Sequence, residues 1–272
     1  EEIGLAKEIA WRKKKAAQYG SKFDRAILRL ARRNKLKYKK EYLMQFYPLG
    51  ALISSGKDSV YAMYKMMKQG YKINCLISIK SKNPDSFMFH TPGIEMVELQ
   101  SKAFGIPLLE QETKGEKEIE LKDLKKAIQN AKKKFGIKGI TTGALYSNYQ
   151  RERIEKIANE LKLKVFSPLW HMDQEKEMRE ILNQGFKFII TKIAAEGLGK
   201  SWLGKEITEK DIDKLVELSK KFGFNIAGEG GEFESLMIDG PIFNKKIKIE
   251  KLDIKMESNI CGELLIKKVK LV

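Results

Sequence analysis

From Leu49 onward, short apolar runs alternate with longer stretches in which apolar residues recur every three or four positions. Leu49, Ala51, Leu52 and Ile53 make a run of strand length, and Val60, Tyr61, Met63, Tyr64 and Met67 follow at helical spacing as far as Gly70. Residues 73–79 read as a second strand and 94–104 as a helix stopped by Gly105 and Pro107. Residues 116–135 read as a long charged helix, 139–142 as a strand, 150–161 as a helix, and Val165-Phe166 as the start of another strand. This order predicts an α/β fold: a mostly parallel sheet with helices on both faces. After Pro168 the texture changes to helix 174–183, strand 186–193, helix 211–222 and strand-like stretches at 236–238, 247–249 and 264–271. A boundary near residue 167 therefore separates a domain at 48–166 from a smaller α+β domain at 167–272.

Residues 1–47 form a third region, a basic helical extension. Phe23, Ile27, Leu30 and Ala31 share one helical face, surrounded by Arg25, Arg29, Arg32 and Arg33. Gly20-Ser21 breaks the pattern, with Ser21 a candidate N-cap.

Composition changes this picture only in part. The 272 residues are 42% hydrophobic, and no apolar run approaches the ~20 residues of a membrane span. No signal-peptide core opens the chain, and two cysteines, Cys75 and Cys261, are too few for a disulfide framework. A reducing cytoplasm is the expected setting, and Cys75, inside a strand pattern, is expected to be a buried small hydrophobe. The chain starts Glu1-Glu2 without an initiator methionine, as a fragment or processed form would. Of the net charge of +17, residues 1–48 carry +9, which suggests an anionic partner such as ribosomal or other RNA. Lysines spread over the whole chain are equally explained as solvation of every surface.

The first strand breaks abruptly into Ser54-Ser55-Gly56-Lys57-Asp58-Ser59 and then a helix. A strand, tight loop and helix start aim backbone N–H groups and the positive end of a helix dipole at one point, where a phosphate fits. The P-loop pattern G-x-x-x-x-G-K-[ST] fails here, with Ala51 for its first glycine and Asp58 for its last residue. Gly199-Lys200-Ser201 has the right ending but no strand-to-helix switch around it. Ligands in such sheets sit at the carboxyl ends of strands, which also brings Ser78 and residues 143–149 toward the site.

The stretch 54–59 resembles the pyrophosphate loop S-G-G-x-D-S of the N-type ATP pyrophosphatases, with Ser55 in a glycine position. If the backbone there needs a positive φ, serine is strained; if it needs only a small side chain, serine serves. Together with His90-Thr91, Tyr149-Gln150-Arg151, Pro168-Leu169-Trp170, Glu196-Gly197-Leu198, residues 201–204 and residues 228–234 in one order, the chain resembles the diphthine–ammonia ligase family over about residues 49–255. That resemblance implies an adenine nucleotide alpha hydrolase-like (HUP) fold. It also implies a reaction: ATP and ammonium amidate the diphthine residue of elongation factor 2, releasing AMP and pyrophosphate through an acyl-adenylate.

Residue roles follow as expectations. Ser54, Ser55, Gly56, Lys57, Asp58 and Ser59 would hold ATP phosphates, with Ser78, His90 and Gly143 also on the nucleotide. Lys57 would offset charge building on pyrophosphate, and Asp58 would hold Mg²⁺ or tie the loop. Arg151 suits a carboxylate or phosphate, with Gln150 beside it and Tyr149 stacking or packing. Gly230 and Gly231 permit close backbone approach. Glu229, Glu232 and Glu234, with Phe233, would receive the trimethylammonium of diphthine and the ammonium ion. His171, Trp170 and Trp202 are read as structural. Two rivals stay open: a tRNA-modifying enzyme of the same superfamily and a non-catalytic nucleotide-binding module on the ribosome.

Overall fold

The computed structural model describes residues 22–81, 96–114 and 117–272. Contacts divide the chain into two compact units, Glu1–Phe46 and Tyr47–Val272. In the first, α1 (Phe23–Arg33) and α2 (Lys39–Met44) are joined by the Asp24–Lys39 ion pair at 2.5 Å. Of the face expected to be apolar, Ile27 and Ala31 are buried, whereas Phe23 and Leu30 are exposed. Helix α1 begins after Lys22, whose φ is +62°, and no side chain caps it there. Ser21, the expected cap, lies outside the described residues.

In the second unit, β1 (Leu49–Leu52), β2 (Ile73–Ser81), β3 (Leu108–Thr113), β4 (Gly139–Thr141) and β5 (Lys164–Phe166) form a parallel sheet ordered β3-β2-β1-β4-β5. The expected α/β class is what the chain adopts. Strand β3 escapes the sequence pattern, because an edge strand paired on one side buries little: only Leu108 and Leu109 are apolar. Helices α3 (Lys57–Lys68) and α4 (Met96–Phe104) cover one face of the sheet, and α5 (Lys117–Phe135) and α6 (Asn148–Glu160) cover the other. Cys75 is fully buried under α5, and burial pushes its thiol up to about 12.

Beyond β5 come α7 (Gln174–Asn183), β6 (Lys187–Ala194), α8 (Glu209–Phe222), β7 (Phe233–Asp239), β8 (Ile247–Met256) and β9 (Cys261–Leu271). The four strands form an antiparallel sheet ordered β7-β6-β9-β8. Strands β8 and β9 run well beyond their apolar ends as a long hairpin whose middle is charged and solvent-facing. Gly199 precedes a single 3₁₀ turn, Lys200–Trp202, that buries Trp202.

Helix α3 lies between the two sheets, against β1 and β4 on one side and β7 on the other. Eight of its twelve residues are buried, so it has no solvated face of ordinary width. Tyr61 and Tyr64 project onto Phe186 with ring centroids 5.9 and 5.0 Å away, edge-on. Their hydroxyls donate to Glu180 and Gln184 of the α7 end, at 2.8 and 2.9 Å. One hydrophobic core thus runs from β1 through α3 to Phe188, Ile190 and Met237, spanning both sides of residue 167.

This packing gives a stability test. Phe186→Ala should cost about 3–5 kcal/mol, as for other buried aromatics cut to alanine. A urea denaturation midpoint unchanged from wild type would contradict the two-tyrosine seat described here.

Candidate active site

The chain runs outward from β1 to β2 and β3, then returns to β4 and β5, so the strand order reverses between β1 and β4. The loops leaving those two strands diverge and open a crevice. A cavity of about 470 Å³ occupies it. Ser54, Asp58 and Ser59 line one side, Thr142, Gly143 and Gln150 the other, and the turn carrying Glu229 closes it.

The apposition depends on Gly143. A Cβ there would come within 2.6 Å of the Ser59 backbone nitrogen and 2.7 Å of the Asp58 carbonyl carbon. Any side chain would therefore push the β4 loop off the start of α3.

The loop itself is tightly tied. Ser59 Oγ donates to the Gly56 carbonyl at 3.1 Å and accepts from the Ser54 amide at 3.2 Å, and lies 3.3 Å from Ser54 Oγ. Ser55 has φ of +71°, so the backbone does take the left-handed turn that glycine favours. The strain this stores is on the order of 1–3 kcal/mol for a non-glycine residue. Gly56 has ordinary φ and caps α3. The first amide of α3, that of Lys57, donates to Ser235 Oγ at 3.1 Å.

Lys57 is buried and absent from the cavity wall. Its ammonium is ion-paired with Asp58 and sits 6.0 Å from the centroid of the Phe233 ring. Burial pulls its pKa down, but Asp58, Glu177 and Glu229 more than offset this and hold it above its ordinary value. Three carboxyls thus face one ammonium. Glu177 is fully buried in α7, and among the described residues neither oxygen has a hydrogen-bond partner of good geometry. Burial and the Asp58 charge beside it push its carboxyl up to about 9. Glu229 is pushed up to about 7 by burial and by Asp58, against the Lys57 charge and a backbone hydrogen bond from Tyr146.

The other expected residues sit as follows. Glu232 is spent on its own loop, accepting from the Asn225 amide and side chain at 2.9 and 2.7 Å and from the Gly230 amide at 2.7 Å. Phe233 is buried beside Lys57 and lines the cavity together with Gly230, Gly231 and Glu234. Gln150 reaches the cavity and Arg151 does not; Arg151 pairs with Glu155 at 2.7 Å and stacks over Trp170 at 4.5 Å. Tyr149 packs under Arg153. Ser78 is buried inside β2, which continues to Ser81, and among the described residues its hydroxyl has no partner. His90 lies outside the described residues. His171 is exposed with φ of +57°. Glu177, Gln100 and Ser235 were not singled out by sequence. The first two have a readable signal: each interrupts the apolar stripe of its helix, Glu177 beside Met178 and Ile181, Gln100 between Met96-Val97 and Ala103-Phe104.

Comparison with known proteins gives the family. A family model described as the diphthamide synthase N-terminal domain matches residues 49–165, and one described as the C-terminal domain matches 173–272. The chain belongs to the diphthamide synthase family. Within that family it is 35% identical over 229 residues to the diphthine–ammonia ligase of Mus musculus, covering 77% of this chain and 85% of the mouse protein. The Danio rerio enzyme of the same name is 34% identical over 226 residues, covering 76% of this chain and 88% of the fish protein. The Schizosaccharomyces pombe one is 33% identical over 235 residues, covering 80% of this chain and 38% of the yeast protein. Both family models begin after residue 48, so the arginine-rich α1 lies outside them.

The donor set does not fit a resident metal site. Asp58 is paired with Lys57, and among the described residues no three His, Cys, Asp or Glu side chains group so as to hold a metal.

Because Glu177 binds its proton more tightly folded than its ordinary 4.5, the stability it confers is present below that value and is lost as pH rises toward about 9. Glu177→Gln should therefore lose less stability than wild type across that window. Parallel melting curves with pH for the two proteins would contradict the assignment.

Proposed function

We infer that this chain is a diphthine–ammonia ligase, an ATP-dependent enzyme that amidates diphthine with ammonia. The family match and relatives of that name at 33–35% identity support this reading. The observation that carries the chemistry is the crevice between β1 and β4, where the start of α3 meets a carboxylate-bearing turn.

The substrate protein is elongation factor 2 bearing diphthine. A carboxylate is a poor acyl donor because oxide would have to leave. Attack of its oxygen on the ATP α-phosphorus forms a C–O–P linkage and expels pyrophosphate, after which AMP is the leaving group. Ammonia adds to the carbonyl carbon, the C–O bond to AMP breaks, and the amide remains. The protein's share is positioning and charge stabilisation.

Backbone amides at the start of α3 and the hydroxyls of Ser54 and Ser59 receive the β- and γ-phosphates. Asp58 ties the loop through Lys57, and any magnesium accompanying ATP would take its ligands chiefly from the nucleotide. The Lys57 charge acts on the pyrophosphate through the first turn of the helix. Gln150, which lines the cavity, meets the acceptor carboxylate, and Arg151 stays behind it, paired with Glu155 and stacked on Trp170. Glu229 and Glu234 face the cavity and receive the cationic partners, ammonium and the trimethylammonium of diphthine. Glu229, poised near neutrality, takes a proton from bound ammonium and leaves neutral ammonia.

The exposed arginines of α1, beside exposed Phe23 and Leu30, favour an anionic partner such as RNA for the first unit. Among the described residues no helix is long and apolar enough to cross a membrane, and a cytoplasmic setting suits a substrate that is a translation factor. The thiolase type of tRNA enzyme is disfavoured, since Cys75 and Cys261 lie in different sheets and cannot act as a pair.

Incubated with diphthine-bearing elongation factor 2, ammonium and MgATP, the protein should release AMP and pyrophosphate together. Release of ADP, or release stimulated by tRNA in place of the factor, would overturn the reading. Glu229→Gln should raise the half-saturating ammonium concentration about tenfold, one charge-assisted contact's worth, with little change for ATP. A larger change for ATP would move that turn to the nucleotide.

A further inference from the structure

The Ser55 turn is held from beneath. The Ser55 carbonyl accepts from the Met237 amide of β7 at 3.1 Å and from Gln100 Nε2 of α4 at 3.0 Å. The same Gln100 nitrogen donates its second hydrogen to the Met237 carbonyl at 2.8 Å. Two carbonyls can be served only by an NH₂ group, so the orientation of this amide is fixed by its partners. Gln100 is fully buried, and among the described residues its oxygen has no partner. A buried, half-satisfied amide in an apolar stripe disfavours folding relative to an apolar side chain of the same size. Its presence is explained by what its nitrogen holds.

We propose that Gln100 is a positioning residue for the phosphate loop: its side-chain amide locks the left-handed turn at Ser55, achieving with hydrogen bonds what glycine achieves by lacking a Cβ. The proposal rests on the reading of residues 54–59 as the ATP phosphate site. Serine at φ of +71° is driven toward other backbone conformations, each of which would swing the Ser55 carbonyl and the amides after it. Gln100 and Met237 bind that carbonyl only in the left-handed state. The lock also joins three parts of the unit, since α4 precedes β3, the loop follows β1, and Met237 lies on the strand that leaves the Glu229 turn.

The test is a cycle of MgATP dissociation constants, measured by calorimetry on the full chain. Gln100→Met, of similar length and without donors, should weaken MgATP on the order of ten- to a hundredfold, the worth of two hydrogen bonds. Its melting temperature should stay near that of wild type, since an unsatisfied oxygen leaves with the donors. In the Ser55→Gly background the same change should cost less than about threefold, because the turn then needs no lock. Gln100→Glu keeps the size, and its affinity should fall as pH rises and the carboxyl loses its only donor; Gln100 itself gives no such slope beyond that of ATP. Equal penalties in both backgrounds would make Gln100 merely structural and overturn the proposal. An unchanged affinity in Gln100→Met would overturn it as well. Failure of the wild-type chain to bind MgATP would remove the underlying reading, a result visible before any variant is made.

Discussion

The first turn of α3 is where the protein's constraints meet. It is buried between two sheets, so it cannot shift toward either without opening a core. On its β4 side the backbone of Asp58 and Ser59 touches Gly143 so closely that no side chain fits between. On its β7 side the Lys57 amide is taken by Ser235. What remains free to meet a ligand is the narrow mouth between those contacts. A helix terminus held this rigidly presents its partial positive charge at a fixed point, which is the condition for electrostatic preorganisation. The parallel sheet alone would not supply it: the antiparallel sheet provides half of the grip.

The charge arrangement behind that turn follows from the same burial. An ammonium out of water requires compensation, and Asp58, the adjacent residue, supplies one carboxylate. Glu177 and Glu229 are raised chiefly by their own burial and further by the Asp58 charge, with Lys57 opposing. Of these carboxyls, Asp58 and Glu229 line the cavity, and Glu177 is buried behind them. Cations entering the cavity meet Glu229, raised to about 7, whereas phosphates meet amides and hydroxyls. One crevice offers two chemistries, at the phosphate loop and at the Glu229 turn.

Most of the fold was legible because the elements that build it are apolar and periodic. Helix α7 and strand β6 begin and end within a residue or so of where the pattern puts them. The pattern failed where packing, rather than periodicity, decides. Edge strand β3 needs few apolar residues, and the β8–β9 hairpin is held by ladder hydrogen bonds while its side chains face water. In the site, small-residue loops announced themselves, since only they allow close backbone approach at Gly143 and at the loop of residues 54–59. Lys57 was legible as a charge but not as a buried one. Gln100 and Glu177 were hidden by their neighbours, because a lone polar residue in an apolar stripe looks like a flaw until the partner element is known. Ser55 showed its conflict in the sequence itself; the structure shows which side of that conflict is real.

Strand β8 closes one end of the antiparallel sheet, and among the described residues nothing pairs with its outer side. Ten residues of open ladder would ordinarily invite a second copy to add itself and continue the sheet. Lys248, Glu250, Lys251, Asp253 and Lys255 stand along it in water, and register slips on either side of Lys251 disturb its regularity. Such an edge resists polymerisation, since an incoming strand would have to desolvate a row of charges and match a bent ladder. Part of the lysine excess of this chain thus answers to colloidal stability at high concentration, and no ligand need be invoked for it.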